Sequence, residues 1–469
     1  MPTELLTSGN PLRHVSPGGA FLRHATASRR YRLYHAGLAL LLWLLATPIS
    51  LAAEVTFPLR PAPQSRYLED SRGKPFLLTG DSAWALIADL SYEDTKLYLD
   101  TRKRQGFNTI LVSLIEHKFA RKAPANFYGD LPFLGAAFER PNEAYFDRVE
   151  AVIEAAASRG MLVLLCPAYL GAGGGPEGWY NEMVAAGPEK LKAYGRYVGR
   201  RFARFKNIIW MQGGDYDPPD KALVNAVAEG IAERMPDALQ SVHANRDTVT
   251  GLFWEKSKWL DIDTVYTYDN VADAVFARYR LGLRRPFFLV EGLYEGEHGV
   301  GEREVRLIAY SALLSGAGGQ IFGNNPMWHF GAPGLFAAPG SWQEALHSRG
   351  AQSIEALARL FNSLEWWKLT PDQGVLLKTV FQGESRGFAA RDMDGAFAVF
   401  YVRDVDQISI DLDSLAGGPK RLRWYDPMDG SLREEVKLSE DHGVQDAAMP
   451  EQANKAGFQE WVGILSNNQ

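Results

Sequence analysis

The chain has 469 residues, 46% apolar and 12% aromatic, which is too rich in core-forming side chains for a disordered polymer and long enough for two or three domains. Its formal charge is −6, but residues 1–53 carry five arginines against Glu4, leaving −10 on the remainder, a balance that argues against nucleic acid or an anionic membrane surface as the main partner. The single Cys166 excludes an internal disulfide framework and any Cys-based metal site, and the six His after residue 53 show no His-Glu-x-x-His spacing, so neither a metal nor a cofactor is implied.

In chain order, the first feature is a leader. Leu33 to Ala53 is free of Asp, Glu, Lys and Arg, follows Arg29, Arg30 and Arg32, and contains the apolar run Ala36 to Ala46 before Pro48. That run is too short to span hydrocarbon but suits a signal-peptide core, and Ser50-Leu51-Ala52 places small residues for cleavage before Ala53. The reading is an exported, periplasmic or extracellular protein with no stable membrane insertion after cleavage; the alternative is an uncleaved anchor. Ser28-Arg29-Arg30 resembles a twin-arginine signal only loosely, because Arg32 stands where an aromatic is usual. Residues 1–28 read as neither signal nor domain, as a misassigned start codon would leave them.

From residue 75, in a domain expected over 54–370, short apolar runs alternate with amphipathic stretches, the pattern of a parallel sheet with crossover helices. Eight strands are predicted: Phe76 to Thr79, Asn108 to Leu114, Met161 to Pro167, Asn207 to Gln212, Leu239 to Ala244, Thr264 to Thr267, Pro286 to Glu291 and Gly319 to Gly323. Ser91 with Asp94 forms a capping box, Asn142 is placed to cap a helix from Glu143, and Gly106 and Gly160 stand at helix C-termini. Eight strand–helix units over about 300 residues predict a (β/α)8 TIM barrel rather than an open doubly wound sheet. After the segment Glu365 to Pro371, residues 371–469 change texture. Ala396 to Val402, alternating Ile408, Ile410 and Leu412, Arg421 to Tyr425 and Gln459 to Leu465 read as strands, with a turn at Pro427 to Gly430, predicting a small antiparallel β-sandwich.

Reacting groups of a barrel sit at the C-terminal strand ends, and the candidates there are unusually polar. Glu291 closes the apolar run Pro286 to Val290, and Asp215 follows Ile208 to Gln212 across Gly213-Gly214, where small residues allow a close backbone approach. Two carboxylates on the fourth and seventh strands face each other across the mouth, the arrangement that glycoside hydrolysis requires; Asp217 competes with Asp215. Asp81 is a candidate for a sugar hydroxyl or for a loop cap, Glu116 is the next carboxylate in line, and Glu295 and Glu297 read as a solvated loop. His117, His243, His329 and Asn245 lie on the same face, as hydroxyl binders rather than metal ligands. Trp84, Tyr169, Trp179, Tyr216, Tyr268 and Trp328 could stack on sugar rings. Gly173 to Gly178 spells G-x-G-x-x-G, but Pro176 breaks the turn, so dinucleotide binding is not expected. Cys166 lies inside an apolar strand with no reason to be a thiolate.

Phe76-Leu77-Leu78-Thr79-Gly80-Asp81-Ser82-Ala83-Trp84, Gly106-Phe107-Asn108, Asn207-Ile208-Ile209-Trp210 leading to Gly213-Gly214-Asp215, and Val290-Glu291-Gly292 resemble the apiosidase-like glycoside hydrolases, family 140, over about residues 65–370. The C-terminal segment, with Arg423-Trp424-Tyr425-Asp426-Pro427, is similar to the β-sandwich that accompanies that domain and is often labelled collagen-binding. The resemblance implies a retaining, exo-acting glycosidase with Asp215 as acid/base and Glu291 as nucleophile, acting on a plant or bacterial polysaccharide. Substrate contacts are expected from Asp81, Trp84, Glu116, His117, Tyr169, His243, Asn245, Tyr268 and Trp328. The alternatives are a non-catalytic carbohydrate-binding or cell-envelope module, and a transglycosidase built from the same residues.

Overall fold

The computed structural model describes residues 55–467 apart from 335, 434 and 439–441; the expected leader lies outside the described residues. Eight parallel strands form one sheet: β1 (Leu78–Ser82), β2 (Thr109–Ser113), β3 (Leu162–Cys166), β4 (Ile208–Gly213), β5 (Gln240–His243), β6 (Asp263–Tyr266), β7 (Phe287–Glu291) and β8 (Gly319–Phe322). The order β5-β4-β3-β2-β1-β8-β7-β6 runs continuously around. The ring closes where Ser241 on β5 bridges Ile262 beside β6 and donates its Oγ hydrogen to the Ile262 carbonyl at 2.8 Å. The helices α1 (Tyr92–Arg104), α2 (Glu143–Ala157), α3 (Tyr180–Phe202), α4 (Ala222–Ala232), α5 (Thr250–Phe253), α6 (Val271–Arg280), α7 (Glu302–Leu314) and α8 (Arg349–Asn362) follow the strands in turn. This is a (β/α)8 barrel, as the eight apolar runs predict.

The strands are apolar on both faces because each divides its side chains between two cores. Leu78, Leu111, Leu164, Ile209, Met211, Phe288 and Ile321 fill the barrel interior, whereas Leu77, Ile110, Val112, Val163 and Trp210 pack against the helices. Ser91 caps α1 by accepting the Asp94 N–H at 3.1 Å. Asn142 precedes α2 but makes no cap bond with its side chain; its amide donates instead to the Leu131 carbonyl at 2.8 Å. The predicted first strand splits, since Pro75–Phe76 joins Leu68–Glu69 and Arg60–Pro61 in a small antiparallel sheet whose Leu59, Leu68 and Phe76 join the interior core.

The C-terminal strands are β9 (Leu369–Pro371), β10 (Arg386–Asp392), β11 (Phe397–Arg403), β12 (Gln407–Asp411), β13 (Lys420–Tyr425), β14 (Val436–Lys437), β15 (Val444–Ala448) and β16 (Glu460–Asn467). Six make a sheet ordered β9-β10-β11-β16-β13-β14, and β12 pairs β15 in a second sheet. β9 begins at Leu369, so this sheet takes residues ahead of the expected change at 371. On β11, Val399 and Tyr401 join the barrel core while Ala398, Phe400 and Val402 join Ile408, Ile410 and Ala447 of the small sheet. The large sheet is thus buried on both faces, and Ala396 to Val402 reads as continuous apolar sequence for that reason. Tyr310 of α7 stacks on Tyr401 with centroids 5.1 Å apart, and the buried Arg306 of α7 pairs with the buried Glu460 of β16. β10 and β15 escaped the sequence reading because charged and exposed positions interrupt their apolar pattern.

Candidate active site

Asp215 and Glu291 meet at the C-terminal mouth of the barrel, brought there by two local irregularities. Gly213 and Gly214 have φ of +82° and +130°, and Asp215 itself lies at +49°, so the chain turns sharply as β4 ends. Side chains could not make that turn: a Cβ on Gly213 would fall 2.5 Å from the His243 carbonyl, and one on Gly214 would fall 2.3 Å from the Tyr169 ring. The close approach is to neighbouring protein, and it sets the Asp215 carboxylate beneath Tyr169.

Glu291 depends on a bulge. Phe288 and Val290 point into the barrel and Phe287 and Leu289 point out, so strict alternation would send Glu291 outward to the helices. The register slips between Leu289, paired with Val265, and Glu291, paired with Tyr266. Tyr266 belongs to the interior core, and the extra residue therefore turns Glu291 inward.

His243, fully buried at the end of β5, lies between the two acids. Its Nδ1 is 3.3 Å from Asp215 Oδ1 and its Nε2 is 3.2 Å from Glu291 Oε2. Tyr169 donates its hydroxyl to Asp215 Oδ2 at 2.7 Å. Tyr268 donates to Glu291 Oε1 at 2.6 Å, and Tyr294 to Glu291 Oε2 at 3.1 Å. Burial and the Glu291 charge push the Asp215 carboxyl up to about 6, against the opposing pull of His243 and the Tyr169 hydroxyl. Burial lowers the His243 imidazole, but the Glu291 hydrogen bond and the Asp215 charge outweigh it and leave it raised. One ligand atom each from Asp215, His243 and Glu291 lie within 4.8 Å of one another, a spacing that could gather a cation. The imidazole hydrogen-bonds Glu291 through Nε2, whereas its Nδ1 accepts the Asp215 backbone N–H at 3.5 Å and leaves Asp215 Oδ1 without a hydrogen-bond partner among the described residues.

Above the acids opens a cavity of about 550 Å³ lined by Trp84, Ser113, Glu116, Phe119, Tyr169, Asp215, Tyr268, Glu291, Tyr294, Glu297, Trp328 and Phe336. Of the sequence candidates it gathers Trp84, Glu116, Tyr169, Tyr268 and Trp328 around the pair, with His243 behind. Glu116 is partly committed to the fold, its Oε1 accepting the N–H groups of His117, Lys118 and Phe119 at 3.0, 3.2 and 3.1 Å. His117 faces Glu182 at 3.1 Å and the Trp179 ring, outside the cavity lining. Asn245 is exposed, with its backbone N–H on Asp217; Asp217 also takes the Thr248 hydroxyl at 2.5 Å and is a loop organiser, not a rival to Asp215.

Asp81 corrects the sequence reading most clearly. It is fully buried and takes Arg102 Nε at 2.7 Å and the Tyr98 hydroxyl at 2.6 Å, both from α1. The strand's alternation explains it: Leu78 points inward, and Asp81, three positions on, points outward to the helices. It holds α1 to β1 and does not reach the cavity. Cys166 is buried, which pushes its thiol up, in keeping with an inert core residue.

Tyr294 escaped the sequence reading and Glu297 was read there as a solvated loop, because their segment returns to the site only through tertiary contacts. Glu295 is indeed not at the site, since it accepts Asn324 Nδ2, Ser348 Oγ and the Gly350 N–H. Glu297 is no solvated acid: it is 7% exposed and lines the cavity. The only available signal was its spacing, two successive steps of three residues beyond Glu291 through Tyr294.

The family described as "Apiosidase-like, catalytic domain" matches residues 62–368. The chain belongs to this apiosidase-like family. It is a glycoside hydrolase, and its substrate is a carbohydrate. The domain described as "Putative collagen-binding domain of a collagenase" matches residues 370–466. Among solved structures, one titled "Glycoside hydrolase" is 23% identical with a TM-score of 0.73, covering 87% of this chain and 97% of its own. A glycoside hydrolase family 5 protein from Bacteroides vulgatus ATCC 8482 is also 23% identical, with a TM-score of 0.74 and coverage of 87% and 93%; at that identity the likeness speaks for the fold. No curated protein matches the chain. No helix among the described residues is long and apolar enough to cross a membrane.

Proposed function

We propose that this apiosidase-like protein is an exported, retaining exo-glycosidase in which Asp215 is the acid/base and Glu291 the nucleophile. The observation that carries the reading is the short gap between the carboxylates, with an oxygen of each within 4.8 Å of the other. Retaining enzymes hold the two carboxyl groups about 5–5.5 Å apart and inverting enzymes about 6.5–9.5 Å, to admit a water; nearest oxygens this close favour the retaining arrangement and direct attack on the sugar. Asp215, raised to about 6, keeps a proton to give to the leaving oxygen as Glu291 attacks the anomeric carbon. Tyr268 and Tyr294 aim hydroxyls at both Glu291 oxygens and orient the carboxylate for attack. Asp215, then ionised, takes a proton from the water that cleaves the glycosyl ester, returning both groups to their starting states. Trp84 and Trp328 supply flat apolar walls for a sugar ring.

The test is release of sugar from plant and bacterial polysaccharides and from aryl furanosides and pyranosides, with the anomer of the first product read by NMR. Release with retained configuration, lost in Glu291→Gln without a change in thermal unfolding, is expected. An inverted product would overturn the retaining mechanism, and full activity in Glu291→Gln would remove Glu291 as nucleophile. Export is tested by the N-terminus of the mature protein: a start at Ala53 is expected, and an intact leader would overturn cleavage.

A further inference from the structure

We infer that Glu297 is the hydroxyl receptor of the cavity, accepting hydrogen bonds from the bound sugar and setting which sugars enter; this rests on the glycosidase reading above. Glu297 lines the cavity and is only 7% exposed. Its Oε1 accepts Trp328 Nε1 at 2.9 Å, and among the described residues no protein donor takes the other oxygen. That oxygen is not sealed in the protein but opens on the cavity, where the hydroxyl of a bound sugar can take the place of water as its donor. Burial and the Glu291 charge already push this carboxyl up to about 7, the signature of a group held in place despite its surroundings.

The loop that carries Glu297 is built to hold it. The Glu297 N–H reaches the Tyr294 carbonyl at 3.2 Å and the Val300 N–H reaches the Glu297 carbonyl at 2.8 Å. Between them Glu295 is anchored to Asn324, Ser348 and Gly350. Tyr294 in turn joins Ser82 of β1 at 2.6 Å to Glu291, so nucleophile, phenol and receptor form one rigid segment. Trp328 packs edge-on against Phe119 at 5.1 Å, which fixes the indole that grips Glu297.

The lining contains four carboxylic acids, Glu116, Asp215, Glu291 and Glu297, and no lysine or arginine. A sugar bearing carboxylate or sulfate would meet these acids with no lysine or arginine in the lining to offset them, the Arg246 guanidinium lying 5.4 Å from the Tyr268 ring centroid. Hydroxyl groups offer what the wall lacks, since Glu297 can accept from two neighbouring hydroxyls at once.

The experiment uses matched 4-nitrophenyl pairs, the β-glucoside with the β-glucuronide and the β-galactoside with the β-galacturonide, together with neutral furanosides, on the parent and on Glu297→Gln. Gln keeps the acceptor for Trp328 Nε1 and the side-chain length, and an unchanged unfolding midpoint verifies the fold. The expected result is a fall of about 10- to 100-fold in kcat/KM for the neutral substrate, carried mainly by KM, and a neutral-to-uronide preference reduced at least tenfold. A merely structural Glu297 would leave that preference where it was, and Glu297→Gln kinetics within twofold of the parent on both members of a pair would overturn the inference. So would a parent that hydrolyses the uronide as well as its neutral partner. A parent that releases no sugar from any aryl glycoside or polysaccharide would overturn the glycosidase reading itself, and the inference with it.

Discussion

In the proposed mechanism Asp215 is the proton donor, and both its burial and the nearby Glu291 charge favour its protonated form. The move from the ordinary 3.8 to about 6 corresponds to about 3 kcal/mol at 1.36 kcal/mol per pH unit. Burial is the larger cause and the Glu291 charge the second, with His243 and the Tyr169 hydroxyl opposing both. Oxygens of the two groups lie within 4.8 Å of each other, and Coulomb's law gives two like unit charges about 5 Å apart a repulsion of about 0.8 kcal/mol in water and about 3 kcal/mol at an effective dielectric of 20. Replacing Glu291 by Gln should therefore lower the Asp215 value from about 6 toward the ordinary carboxylate range, with burial keeping part of the rise. The measurement is the carboxyl 13C shift of Asp-labelled protein against pH, with Asp215→Asn assigning the signal. In the parent, kcat/KM requires protonated Asp215 and should fall as pH rises through about 6. An Asp215 signal that stays put or moves upward in Glu291→Gln would refute the argument, as would a parent profile flat across pH 5 to 7.

Three further outcomes follow from buried contacts. Asp81→Ala leaves Arg102 buried without its partner and should cost about 3–5 kcal/mol in denaturant unfolding, while KM for the folded enzyme is unchanged; a raised KM at full stability would return Asp81 to the substrate. Gly214→Ala forces a Cβ into the Tyr169 ring at a left-handed φ and should cost about 2–5 kcal/mol, measured as a lowered unfolding midpoint with loss of activity; a midpoint equal to the parent's would show that the turn has room. Arg306→Met strands Glu460 between barrel and sandwich, with Arg303 still 3.4 Å away as partial compensation, and should cost about 3 kcal/mol; cooperative unfolding at parental stability would mean that the ion pair does not tie the two parts together.

Period and punctuation along the chain were enough to place eight barrel strands, because each is a short apolar run closed by turn residues and that signal is local. The same locality exposed Asp215 and Glu291, each standing just past such a run at the end where barrels carry their chemistry. The inward or outward direction of each side chain is also local in part: counting by twos from Leu78 sends Asp81 to the helices, and the ambiguity arose only because both faces of the strand are apolar. Glu291 breaks that count through a bulge against β6, which no pattern within Pro286 to Glu291 discloses. The contacts of His243 with Glu291 and with the Asp215 backbone, the return of Tyr294 to Ser82 and the burial of Glu297 against Trp328 join residues far apart in the chain. Those contacts exist only once the ring has closed and Trp328, beyond the last strand, comes to rest beside the loop that follows the seventh. Composition and period thus define the scaffold and its two acids, while charge, burial and the shape of the cavity arise from neighbours that the chain order keeps apart.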